Sequence, residues 1–298
     1  MEMTSHRWTI LAQEHDKLGE SAMWHAAEQA IYWVDWYGPT LHRLRTGVPV
    51  KSWTFSESSI LGSFVFATGG RILLALNTGI KLFDPVSGAL RDVADPNQGR
   101  EGVAYNDSKV DRQGRLWIGT FDVKEKDPRG ILYCVDAAGH AHVADSGYTV
   151  CNGPAFSPDG SILYFSDTMG KRIIAYDVDP RVPQLRNRRV FADLGSETGL
   201  PDGLTVDAEG CLWCALYGAG RIVRLSPDGS PCASYAVPAA NVTSCAFGGP
   251  SMTTLFVTSG ENPSAAGATG TSHADGALFA CDTGIRGLVE PVFDLRTD

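Results

Sequence analysis

The chain has 298 residues, 43% hydrophobic and 20% charged, which is the balance of a soluble globular protein with a large core. Its formal net charge of −9 and the lack of any dense Lys or Arg run exclude nucleic acid and anionic membrane surfaces, since both demand concentrated positive charge. No stretch reaches the ~18 apolar residues of a membrane span. The stretch from Met1 to Glu20 lacks the basic start and apolar segment of an export signal. Seven cysteines, an odd number scattered from Cys134 to Cys281, make no secreted disulfide framework. The expectation is a cytoplasmic protein, monomeric or weakly self-associating.

The segment from Trp8 to Leu11 reads as a first strand. After it come six short β-branched and aromatic runs: Ile31–Asp35, Ile72–Leu76, Leu116–Thr120, Leu163–Asp167, Leu212–Leu216 and Leu255–Ser259. Their starts lie 41 to 49 positions apart. Turn clusters precede three of them, at Asp111–Gly114, Ser157–Gly160 and Asp207–Gly210. A second alternating strand follows each run: Thr40–Leu44, Ile80–Phe83, Ile131–Val135, Ile173–Asp177, Arg221–Leu225 and Ala277–Cys281. No amphipathic helical period competes. Six units of ~40–50 residues predict an all-β fold, a six-bladed β-propeller formed as one domain by residues 1–298. A β-sandwich or two smaller β domains would have no reason to repeat six times at nearly one spacing. The segment from Trp8 to Leu11 is expected to complete the last blade and close the ring.

The same period locates a site. In a propeller the innermost strand of each blade lines the central channel. Ten or eleven residues before the runs of blades one, three, four and five stand Glu20, Asn106, Asn152 and Asp202. The second and sixth units offer only Leu61 or Gly62, and Ser244 or Cys245. Carboxylates brought together near the axis repel one another unless a cation lies between them. Oxygen-only donors suit a hard divalent ion, and with no Cys or His in the set a structural zinc site is not expected. Gly19, Gly153 and Gly203 adjoin three of these residues, where close approach or unusual backbone favours glycine.

Other conspicuous features read as structural. The pair Cys211 and Cys214 lies in an apolar strand-like run whose side chains point to opposite faces, so buried cysteines are expected rather than a zinc or redox site. Asn241-Val-Thr matches the glycosylation triplet by coincidence. His15 and His25 are expected at the surface or behind the ligands, and Trp24 and Tyr105 in packing. The Gly/Ala/Ser-rich stretch from Asn262 to Gly276, which contains His273, reads as a long flexible loop without chemistry, a lid being the alternative.

Several segments carry a resemblance. Leu18–Trp24 with Tyr32–Asp35, Asn106–Thr120, Asn152–Gly160 with Tyr164–Thr168, Pro201–Asp207 and Asn241–Pro250 together resemble the senescence-marker-protein/gluconolactonase family, in that family's order. The resemblance implies a six-bladed propeller with one divalent cation, of which Ca²⁺, Mn²⁺, Mg²⁺, Zn²⁺ and Fe²⁺ are candidates. By the same resemblance the ligands fall on Glu20, Asn152 and Asp202, the substrate-contacting Asn on Asn106, and the general base on Asp202. Ala104 and Lys124 depart from residues that contact substrate in some members. The implied activity is metal-dependent hydrolysis of a small sugar-acid lactone, whether gluconolactone-, xylonolactone- or arabinolactone-like, to the aldonic acid. Two alternatives stand beside it: hydrolysis of a non-sugar ester or phosphotriester at the same centre, and a non-catalytic calcium-binding propeller.

Overall fold

In the computed structural model, which describes residues 3–4, 7–261 and 272–295, the repeats become six antiparallel sheets set round an axis. Blades are numbered here in chain order. Blade 1 runs from the axis outwards as Gly19–His25, Ala30–Asp35, Thr40–Arg45 and Lys51–Thr54. The innermost strands of blades 2 to 6 are Leu61–Ala67, Val103–Val110, Cys151–Phe156, Leu200–Val206 and Val242–Gly248. Each expected run is the second strand of its blade, and each expected partner the third.

The ring closes as expected, with a shift of one residue. Thr9–Ala12 is the outer strand of blade 6 and pairs with Leu278–Asp282. The sequence pattern did not anticipate that Met3–Thr4 pairs in parallel with the outer strand of blade 5. The first residues therefore bridge two blades. The stretch 262–271 of the long loop lies outside the described residues. His273 lies within them, and its carbonyl accepts from the Gln13 side chain at 3.1 Å.

The second strands are buried on both faces and share the interblade core with the first and third strands. Trp33, Trp117 and Trp213 are fully buried. Their indole N–H groups donate to Asp16, Asp111 and Asp207 at 2.8, 2.8 and 2.9 Å. Asp111 and Asp207 open two of the predicted turns, where Oδ1 of each accepts two backbone N–H groups of its own turn. One carboxylate thus shapes the turn and satisfies a buried donor that would cost ~1–3 kcal/mol if left alone.

A C-terminal strap, residues 284–295, crosses the channel end opposite the starts of the inner strands. Its Arg286 carbonyl accepts from Ala208 N at 2.8 Å, Glu290 pairs with Lys109 at 3.0 Å, and Phe293 exchanges backbone bonds with Phe66 and Thr68. Phe293 is fully buried. Among the described residues no helix is long and apolar enough to cross a membrane.

Candidate active site

Glu20, Asn106, Asn152 and Asp202 stand near the starts of four inner strands, at the channel end away from the strap. Each of these strands slips register beside its site residue: between Glu20 and Met23, Tyr105 and Ser108, Asn152 and Ala155, and Pro201 and Leu204. An extra residue in a strand breaks the alternation of faces and re-aims a side chain. The result is one open cavity lined by all four residues.

Two glycines permit this geometry. Gly153 has φ +43°, and a Cβ there would lie 2.5 Å from Leu204 N. Gly203 needs space only, because its Cβ would lie 2.7 Å from Ser244 Oγ and 2.8 Å from Ser244 Cα.

The site holds a residue that counting one position per blade missed. Asp107, next to Asn106 in the same bulge, also turns inward. Carboxylate oxygens of Glu20, Asp107 and Asp202 lie within 4.8 Å of one another, and all three residues are buried. Its only signal in the sequence is a carboxylate directly after Asn106, since the bulge that turns it inward is a feature of the folded strand. Asp107 accepts from Ser21 Oγ at 3.0 Å and from Gly153 N at 2.9 Å. These partners follow Glu20 and Asn152 directly, so Asp107 ties blades 1, 3 and 4 together.

The electrostatics are those of a cation cradle. Burial first, then the charges of Asp202 and Asp107, pushes Glu20 well above the usual carboxylate range. Asp202 rises well above it through burial and then the charge of Asp107, and burial raises Asp107 too. Asp202 Oδ1 is buried with no hydrogen-bond partner. Three mutually repelling carboxylates with an orphaned oxygen fit a hard divalent ion, which would satisfy that oxygen and cancel the repulsion. The carboxamides lie alongside. Asn106 Nδ2 donates to Asn152 Oδ1 at 2.6 Å and to the Cys151 carbonyl at 2.8 Å, and Asn152 Nδ2 donates to Thr168 Oγ1 at 3.1 Å.

Above this polar floor the walls are mainly apolar, formed by Leu18, Trp36, Phe121, Val150, Met169 and Leu200, with Tyr37, Tyr217 and Glu125 as further lining. Ala104 is buried in a cluster with Trp36, Ile60, Phe121 and Val150. Lys124 is exposed, and its neighbour Glu125 faces the cavity instead.

The remaining expectations fall outside the cavity. His15 is exposed and bonds Glu261 at 2.7 Å. His25 packs edge-on against Phe66. Trp24 stacks on Phe256, and the Tyr105 hydroxyl donates to Asp95 at 2.8 Å. Cys211 and Cys214 are buried and unbridged. A second acidic group, Asp207 with Glu209 and Cys211, already has a cationic partner, because Arg224 pairs with both Asp207 and Glu209. Asn241 is fully buried, out of reach of glycosylation.

Comparison with known proteins gives a consistent picture. The family model of the SMP-30/Gluconolactonase/LRE-like region matches residues 18–261. The 6-deoxy-6-sulfogluconolactonase of Pseudomonas putida is 36% identical over 93% of this chain and 94% of its own. The L-arabinolactonase of Azospirillum brasilense is 32% identical over 96% of this chain and 95% of its own. Among solved structures, a calcium-binding regucalcin from Agrobacterium tumefaciens superposes with a TM-score of 0.93 at 27% identity, covering 99% of this chain and 100% of that one.

Proposed function

Because the chain belongs to the SMP-30/gluconolactonase family, we propose that it is a sugar lactonase, a hydrolase that opens a small sugar-acid lactone to the aldonic acid. We read residues 1–298 as one functional unit, cytoplasmic and monomeric or weakly self-associating. The observation that carries the reading is the buried cluster of Glu20, Asp107 and Asp202, with its orphaned Asp202 oxygen, on the floor of a cavity shared with Asn106 and Asn152.

Glu20, Asn152 and Asp202 would hold a divalent cation, with Asp107 behind them. Such an ion supplies a Lewis acid for the lactone carbonyl. Asp202 would take the proton of the attacking water as the general base. Both amide hydrogens of Asn106 are engaged. What Asn106 offers is therefore its carbonyl oxygen, as an acceptor that orients a water or a sugar hydroxyl. The strap lies at the opposite channel end and leaves the floor reachable from this mouth.

The apolar walls of the cavity also lend support to a second reading, hydrolysis of a less polar ester or a phosphotriester on the same floor. Proton release on adding D-glucono-1,5-lactone, phenyl acetate or paraoxon to Mn²⁺-loaded protein separates the two. A purely calcium-binding propeller would show only the spontaneous rates. Asp202→Ala should lower lactone turnover at least ~100-fold, the range of a lost general base. Retention of near-normal turnover would refute the assignment.

A further inference from the structure

Blade 1 differs from blade 5 in what it sets beside the buried indole. In blade 5 the cation that meets Asp207 is Arg224, which stands opposite Trp213 on the third strand, over the indole face, and has Ala233 opposite it on the outer strand. In blade 1 the same positions hold His42, opposite Trp33, and Ser52, opposite His42. An arginine is a permanent cation that only donates. A histidine takes up a proton and gives it back.

His42 is buried and stacked on Trp33, with ring centroids 5.0 Å apart. Its Nδ1 lies 2.8 Å from Ser52 Oγ. The buried Nε2 has no well-aligned hydrogen bond, and the acid it meets is Asp16, whose Oδ1 lies 3.1 Å away. Asp16 is buried too, and its Oδ2 accepts from Trp33 Nε1 at 2.8 Å. Burial raises the proton affinity of Asp16, contacts with His42 and Trp33 oppose that rise, and the charge of Asp35 adds to it. With the ring proton on Nε2, towards the carboxylate, Nδ1 keeps its lone pair and the Ser52 hydroxyl donates to it. Ser52 is exposed, so the chain from Asp16 through His42 shelters its acid and base and opens its hydroxyl to solvent.

The strand around Ser52 adds two further features. It is the free edge of blade 1. Phe55 N donates to the Pro39 carbonyl at 2.9 Å, and in an antiparallel pair alternate residues face the partner. Trp53 and Lys51 therefore turn their backbone groups towards the third strand, and Ser52 turns its N–H outwards. Val50, two residues before Ser52, and Leu44, two after His42, share the face of these side chains. Both are partly buried hydrophobics, and they offer an apolar seat beside the hydroxyl.

We propose that Ser52, His42 and Asp16 form a second, metal-independent nucleophilic site that takes the acyl group of small activated aryl esters. This stands apart from the lactonase reading, because none of the three residues lines the metal cavity. Ser52 Oγ bonds to the ester carbonyl carbon while its proton passes to His42 Nδ1, Asp16 stabilises the imidazolium, and the outward Ser52 N–H donates to the oxyanion. The bond to the aryl oxygen then breaks, and Nδ1 returns the proton to that oxygen, releasing the phenol. A water that gives its proton to Nδ1 attacks the acyl carbon, the bond to Oγ breaks, and Nδ1 returns the proton to Oγ. Ester and water have become acid and phenol.

The test uses chelator-treated protein in which Cys232, an exposed thiol, has been alkylated. Diisopropyl fluorophosphate, from which a serine oxygen displaces fluoride at phosphorus, is added, and peptide mass mapping locates and times the adduct. Ser52 should carry it, and His42→Gln should slow its formation at least ~100-fold, the range of a lost general base. Asp202→Ala should leave the labelling rate as in the parent, and a dependence on Asp202 would place the reaction at the metal cavity instead. An adduct absent from Ser52, or formed equally fast in His42→Gln, would overturn the proposal. Ser52→Ala removes one exposed hydroxyl and keeps the fold, so it gives an independent reading. Phenyl acetate cleavage in chelator should fall to the spontaneous rate in that variant, and cleavage at the parent's rate would equally overturn the proposal.

Discussion

Asp107→Asn separates charge from geometry at the site. Asparagine keeps the shape: its Oδ1 still accepts from Gly153 N–H, and its Nδ2 donates to Ser21 Oγ, which can accept. The strands therefore stay aligned. What disappears is a unit charge among oxygens within 4.8 Å of one another, a pairing worth ~3.5 kcal/mol at an effective dielectric constant of ~20. A doubly charged ion loses two such attractions. Against this, burial and mutual repulsion raise the proton affinity of both Glu20 and Asp202. Any proton that metal binding displaces from them leaves more easily, by one such interaction, once Asp107 is neutral. About one unit remains, ~3 kcal/mol, so Mn²⁺ affinity should fall ~100-fold. Calorimetric titration of chelator-treated protein at neutral pH measures it. Affinity within threefold of the parent would show that Asp107 does not contribute to holding the ion, and the charge argument would be wrong.

Two further predictions follow from the same structure. Glu20, Asp107 and Asp202 all have raised proton affinity when folded, so in the metal-free protein these three groups bind more protons folded than unfolded between their raised pKa values and the ordinary ~4. Stability without metal should therefore rise as pH falls from ~7 to ~5, and the stabilisation by added Mn²⁺ should shrink as protons compete. Melting curves in chelator and in Mn²⁺ check both, and a metal-free Tm that falls steadily over that interval would contradict them. At the other channel end, Phe293→Ala should cost ~3–5 kcal/mol by emptying a fully buried site. Urea unfolding measures it, and a loss below ~1 kcal/mol would mean that the strap is not part of the cooperative fold.

The architecture was legible because a propeller repeats one hydrophobic pattern at one spacing, and every blade reports the same phase. That phase also exposed Glu20, Asn106, Asn152 and Asp202, since equivalent positions in equivalent strands must converge on the axis. Period alone could not see the exceptions to the pleat. Asp107 turns inward only because a bulge presents two adjacent residues to one side. Glu125, not Lys124, reaches the cavity because the turn after Asp122 takes a left-handed step that no periodic count reveals. The C-terminal strap has no alternation to detect, as its anchoring rests on backbone bonds, the Glu290–Lys109 pair and the ring of Phe293. The pairing of Met3–Thr4 depends on a neighbouring edge strand far along the chain, which local pattern cannot encode.

The account turns on residues from blades 1, 4 and 5 sharing one ion. Anomalous scattering from a crystal of Mn²⁺-loaded protein tests this most directly. A single strong peak should sit in contact with oxygens of Glu20, Asn152 and Asp202, at the ~2.0–2.6 Å of hard divalent ions. A featureless map at that position, in protein that elemental analysis shows to have been exposed to saturating metal, would contradict the central claim.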